Sequence, residues 1–198
     1  MFAEKPEIVL HDALGELLGA GDGCFRYTFD DVVKLSGHAC PTAAGAFLLV
    51  VRALPLIYGD EMPQRGDIEV IVHGDEEEGV NGPISQILTL LTGAAAENGF
   101  RGLAGRYGRK GLLRFVPQTH GRQVSFTFKS ISRNRSVTMA YSPESIPPDP
   151  DMSQWMHLAL GNTPDAQARH RFAQAWRGRV ERILADEGRS TVREVSAP

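Results

Sequence analysis

The stretch PTAAGAFLLVVRAL, residues 41–54, constrains the fold more than any other part of the chain. It is apolar on almost every side of a helical wheel, and such a helix must be surrounded by other elements. Its densest run, from Ala43 to Val51, is too short to span a bilayer, and Arg52 and Pro55 interrupt the residues beyond it. The expectation is a buried central helix. At 198 residues the chain is long enough to build a real core around it.

The flanking segments suggest what wraps that helix. HDALGELLGAGDG places Ala13, Leu14, Leu17 and Leu18 at helical spacing and ends in glycines. TFDDVVKLSG offers Thr28 as an N-cap, acids in the first turn and Gly37 as terminator. GDIEVIVHG alternates Ile68, Val70 and Val72 and predicts a strand ending at Gly74. After the acidic loop DEEEGVNG, the pattern predicts a helix over 83–98 closed by Gly99. GLLRFVP, QVSFTFKSI and RSVTMAYS read as three strands, the last two a hairpin through SRNR.

The remainder is expected to be helical. PESIPPDPDM is a proline-rich, semi-rigid connector, and SQWMHLALG is a short helix. A longer helix opens with Thr163 as N-cap and Pro164 at its first position. Ala168, Phe172, Ala175, Trp176, Val180 and Ile183 line one of its faces. The fold class expected is α+β, an antiparallel or mixed sheet packed with helices, plus a C-terminal helical arm. Three parts are expected: a core over 1–142, a connector over 143–152, and an arm over 153–198 with a frayed C-terminus. The connector would let the arm swing, and the arm's apolar face calls for cover, so a homodimer is expected.

The formal net charge of −3 argues against a nucleic-acid or membrane-surface binder. The start, MFAEKPEIVL, has acids and a proline where a signal peptide needs a basic and then an apolar region. Two cysteines make no disulfide framework, so a reduced, cytoplasmic setting is expected.

Chemistry shows through in GHACP, residues 37–41. Proline suits the first position of a helix, because the N–H it lacks has no intrahelical partner there. That places Cys40 at or beside the N-cap, where the helix dipole and free N–H groups favour a thiolate. A thiolate serves equally as nucleophile and as soft metal ligand. His38 can swing toward the same point, and the pair suits zinc. The bare spacing also fits a buried cysteine that merely begins a core helix beside a surface histidine.

A metal there needs further donors. His73, at the end of a strand beside the acidic loop, is the candidate third ligand, and it also fits a solvent-facing strand end. Asp75, Glu76, Glu77 and Glu78 are carboxylates in reach by sequence, yet a charge run usually forms a solvated loop. His120 sits in an expected turn, His11, His157 and His170 have no partner in sequence, and Cys24 is expected to pack against the core. The glycines of residues 93–111 lack the Gly-Lys-Ser/Thr ending of a phosphate loop.

SGHACPTAAGAFLLVVRAL resembles the H-G-H-x-C-P-G segment of the family named after the E-subunit of formylmethanofuran dehydrogenase. ISQILTLLTGAAAENGF is similar to that family's helix ending in a Leu-Thr-Gly turn, through Thr92 and Gly93. RYGRKGLLRF resembles the family's next stretch, through Tyr107 and Gly108. The resemblance covers about the first two thirds of the chain. It implies an α+β fold, often dimeric, with a metal, usually zinc, near His38 and Cys40. Ser36 stands where the family has its first histidine, and Thr42 where it has glycine. No cysteine lies around Gly82 and Pro83, and the C-terminal zinc ribbon of many members is absent.

The function expected is therefore zinc binding, with an open coordination position for a small-molecule ligand and Cys40 as a candidate catalytic residue. Two alternatives stand beside it. One is a haem- or metal-sensing protein with Cys40 as thiolate ligand. The other is a metal-free thiol enzyme, with Cys40 as nucleophile and His38 as its base.

Overall fold

The computed structural model describes residues 6–117, 124–163 and 165–197. Its hub is α3, Pro41–Tyr58, in which Phe47, Leu48, Leu49 and Val50 are wholly buried. Each such side chain contributes roughly 1.5–3 kcal/mol by leaving water. By length and composition this helix could cross a membrane, but 67% of it is buried inside the fold. Pro55 does not end it. The proline forgoes the one bond its N–H would make to the Val51 carbonyl, and the helix runs on to Tyr58, with the Gly59 N–H bonding to the Pro55 carbonyl.

Ahead of the hub, β1 (Ile8–His11) and β2 (Cys24–Tyr27) pair antiparallel around α1 (Ala13–Leu17), and α2 (Phe29–Ser36) comes next. Beyond it come β3 (Ile68–His73), α4 (Asn81–Thr92), β4 (Leu113–Val116), β5 (Ser125–Ser130) and β6 (Arg135–Tyr141). The chain continues through α5 (Met152–Leu160) and α6 (Ala166–Asp186) to β7 (Val192–Glu194). The larger sheet runs β4-β3-β5-β6-β7, with β3 and β4 parallel and the other pairs antiparallel. The fold is α+β with a mixed sheet, as the sequence predicts. Ile68, Val70, Val72, Phe126, Phe128 and Met139 send one face of the sheet into the core formed with α3 and α4.

Several local expectations are corrected. α1 stops at Leu17, and Leu17 and Leu18 stand exposed, so their helical spacing marks no buried face. α4 ends at Thr92, not Asn98. The Thr92 hydroxyl donates to the Leu88 carbonyl and accepts from the Ala94 N–H, while Gly93 turns left-handed and stops the helix. Cys24 is exposed rather than packed in the core, because it sits on a two-stranded ribbon opposite His11. α6 is capped by Asp165, whose carboxylate accepts from the Gln167 and Ala168 N–H groups, and not by Thr163. Pro164 lies outside the described residues.

Thr28 does open α2, its N–H and hydroxyl both bonded to the Asp31 carboxylate.

The C-terminal third is docked, not swinging. Val180, Ile183 and Leu184 of α6 and Val192 of β7 belong to the same core cluster as α3. The connector is held by Arg179, which donates to the Pro143 and Ile146 carbonyls, and by Arg182, which donates to that of Pro147. The end expected to fray contains a strand. Asp186 gathers the turn before it, accepting from the N–H and hydroxyl groups of Ser190 and Thr191. α5 and the first half of α6 pack on each other, and Ala159 of α5 and Ala168 of α6 are both buried.

Candidate functional site

α2 ends at Ser36, whose hydroxyl bonds back to the Val32 carbonyl, and Gly37 reverses the chain. His38 comes next, on the surface, and donates from Nδ1 to the Ser36 carbonyl at 2.9 Å. That bond fixes the tautomer and leaves Nε2 with a lone pair turned elsewhere. Cys40 is then the N-cap of α3, extended at φ −145°, with Pro41 at the first helical position. Its Sγ accepts the Ala43 N–H at 3.3 Å, and the side chain is half-buried against the core. A sulfur placed so sits where developing negative charge is favoured.

The backbone around this cysteine is held from two sides. Trp176 of α6 donates from Nε1 to the Ala39 carbonyl at 2.8 Å. Tyr141, the last residue of β6, donates its hydroxyl to the Pro41 carbonyl at 2.7 Å. Tyr141 reaches that carbonyl because Gly45 lies beneath its ring. A Cβ at position 45 would stand 2.3 Å from the nearest ring carbon. Burial pushes the Tyr141 phenol well above its ordinary range, so it stays a neutral donor.

Beside Thr42 and Tyr141 opens a cleft of about 350 Å³, walled by Asn81, Ile84, Phe126 and Val80, with Glu78 and Glu144 at its polar edge. Its volume suits a small organic molecule. Sequence reasoning singles out neither Tyr141 nor Gly45, and it places Trp176 on a core face only. The one available signal is a glycine inside an otherwise unbroken apolar helix.

The three expected metal ligands are not brought together. His73 is buried on β3 and shares a 2.7 Å hydrogen bond with the Thr127 hydroxyl, which in turn bonds Thr138. Burial, and then the nearby Arg114 charge, hold its imidazole below its ordinary value, which favours the neutral form. Asp75, Glu76, Glu77 and Glu78 are exposed in their loop. His157 and His170 are exposed on α5 and α6, and His11 bridges Gln64 and Glu16. His120 lies outside the described residues.

Among the described residues no group of three or more His, Cys, Asp and Glu side chains could hold a metal ion. His38 and Cys40 offer at most two donors, below the three or four that a protein supplies to zinc. The described residues of one chain do not fit a resident zinc.

No family model matches the sequence, and no curated protein matches it.

Proposed function

We propose that this is a small-molecule-binding protein, related to the family of the formylmethanofuran dehydrogenase E-subunit, whose working group is the Cys40 thiol. One observation carries the reading: aromatic donors from two distant elements hold the carbonyls on either side of Cys40. Orientation of this kind is what a nucleophile requires, and the cleft walled in part by Thr42, two residues along the chain from Cys40, and by Tyr141 is the proposed substrate site. His38 Nε2, freed by the bond from Nδ1, is the nearest group in sequence able to take the thiol proton. The two unpaired cysteines favour a reducing, cytoplasmic setting.

Competitive alkylation with iodoacetamide, read by mass spectrometry, tests the reading. Cys24 is the more exposed thiol, so accessibility alone makes it the faster to react. Faster labelling of Cys40, slowed in His38→Ala, is the expected result. Labelling of Cys40 slower than that of Cys24 removes the proposal.

A second reading keeps the metal. The His38 tautomer is the one a metal-ligating histidine adopts, its other nitrogen bonded to a carbonyl. Two copies, each giving His38 and Cys40, would supply four donors. This reading requires the expected homodimer, which we place through α5, where Met156, Leu158 and Leu160 are exposed. Elemental analysis of protein purified without chelator decides it: half a zinc per chain, lost in Cys40→Ser, supports it, and metal-free protein ends it.

A further inference from the structure

A second cluster of charge lies elsewhere, sharing no wall residue with the cleft beside Tyr141. Asp12, only 4% exposed, caps α1 and also receives two arginines. Arg109 donates from Nη2 to its Oδ1 at 2.7 Å, and Arg65 from Nη1 to its Oδ2 at 2.9 Å. Arg109 spends its other terminal nitrogen on the Arg65 carbonyl, and Arg65 bonds the Leu90 carbonyl. The remaining Nε of Arg65 is buried without a partner.

The charges do not balance. One carboxylate faces two guanidiniums, leaving one positive charge in a largely buried setting, where an uncompensated ion is costly. The nearest other groups do not cancel it. Tyr27 lies under Arg65 as a neutral ring, its phenol pushed up by burial. Asp31 is already paired with Lys34, and Glu76 is exposed to water, which screens it.

The arrangement is built rather than incidental. Arg109 lies directly across Gly66, where an added Cβ would fall 0.8 Å from its Nη1, so only glycine lets the guanidinium reach both partners.

Both arginines form part of the wall of a cleft of about 560 Å³, larger than the one beside Tyr141. Its other walls divide in character. Leu90, Leu113, Phe100 and Phe115 are apolar, while Thr89 and Asn98 offer hydrogen bonds. We infer that this cleft binds a small organic acid, its anionic group against Arg65 and Arg109 and its apolar body against Phe100, Leu113 and Phe115. The anion supplies the missing negative charge, and the guanidinium donors not engaged by Asp12 or the backbone meet it. The inference is independent of any role for Cys40.

The test compares 1-naphthoate with its neutral isostere 1-naphthamide, titrated into the full chain and followed by fluorescence and by amide NMR shifts. Naphthoate should bind about tenfold or more tighter than the amide, with the preference shrinking as salt rises. It should also shift the amides of Thr89, Asn98 and Gly99. Arg65→Gln should bring the two affinities together, and Phe100→Ser, at a half-exposed position, should weaken both. Equal affinities in the unaltered protein overturn the inference. So does naphthoate binding that leaves the amides of Thr89, Asn98 and Gly99 unmoved, a readout that stands even where Arg65→Gln fails to fold. Failure of naphthoate to bind at millimolar concentration also overturns it.

Discussion

The Tyr141 ring lies against the α-carbon of Gly45, and its hydroxyl bonds the carbonyl of Pro41, one turn earlier in the same helix. The end of β6 is thereby locked onto the start of α3, beside the Cys40 thiol. Gly45→Ala should drive the ring away and break that bond. The cost expected is about 1–3 kcal/mol, typical of overpacking, read by urea denaturation. The same variant should lower the alkylation rate of Cys40 and leave that of Cys24 unchanged. A variant as stable as the parent, with unchanged Cys40 labelling, would mean the contact positions nothing.

Tyr141→Phe removes a donor and keeps the whole ring, whereas Trp176→Phe removes a donor together with part of the indole that packs on Phe172. Each should cost about 0.5–1.5 kcal/mol as a lost hydrogen bond. If the two bonds act as a unit on the Ala39–Pro41 backbone, the double variant should slow Cys40 labelling by less than the product of the single effects. Simple multiplicativity in that cycle would show that the two donors hold the backbone independently.

His73 gives a pH signature that separates a structural role from a ligand role. Its folded pKa lies below the ordinary value of 6.5, because burial disfavours the imidazolium. Above pH 6.5 both folded and unfolded forms are neutral, and stability from this group is at its plateau. As pH falls below 6.5 the unfolded chain takes up the proton first, so stability drops until the folded form also protonates. His73→Gln should remove that drop when its denaturation is compared with the parent from pH 8 to pH 5. Parallel profiles would show that His73 does not titrate as its burial requires. His11, whose value is raised by Gln64 and Glu16, acts in the opposite sense and is common to both proteins.

The C-terminal region should divide sharply by burial. Leu184 is wholly buried in the core, and Leu184→Ala should cost about 2–5 kcal/mol. Leu160 is 77% exposed at the tip of α5, and Leu160→Ser should change monomer stability by no more than about 0.5 kcal/mol. Under the proposed pairing through α5 it should also shift the sedimentation profile toward monomer. An unchanged profile would deny α5 that role.

Acid should weaken the Asp12 cluster. Burial by itself would raise the Asp12 carboxyl, but the hydrogen bond from Arg65 and the charge of Arg109 more than offset it and hold it below 3.8. Its stabilising contribution is therefore complete above pH 3.8 and is lost as pH falls through the lower folded value. Asp12→Asn should flatten that acid limb in a pH series of thermal melts. An unaltered acid limb would place the acid sensitivity of the fold elsewhere.

The parts of the fold legible in the sequence are those written in neighbouring residues. The all-round apolarity of residues 41–54 announces the hub, and Pro41 announces Cys40 as its cap. The β5–β6 hairpin and the N-cap at Thr28 are readable for the same reason. β1, β2 and β7 are not, since three or four residues establish no alternation, and the equally short β4 stands out because Gly111 and Pro117 bracket it. The hydrogen bonds around Cys40 are hidden for a different reason. They end on backbone carbonyls, which every residue carries, across separations of 100 and 137 residues. His73 is legible as the end of a strand, but its hydrogen bond to Thr127 depends on the register between β3 and β5, which its own strand does not encode.

The separation between Ala39 and Trp176 also has a timing consequence. During synthesis the GHACP segment leaves the ribosome 137 residues before the indole that will hold it. At about 5–20 residues per second that interval is on the order of ten seconds. Throughout it the Cys40 sulfur is carried on an unanchored loop, open to oxidants and to stray disulfide partners such as Cys24. The nascent chain is thus at its most redox-vulnerable before α6 has been translated, and a reducing compartment would protect such a chain first as a polypeptide in the making.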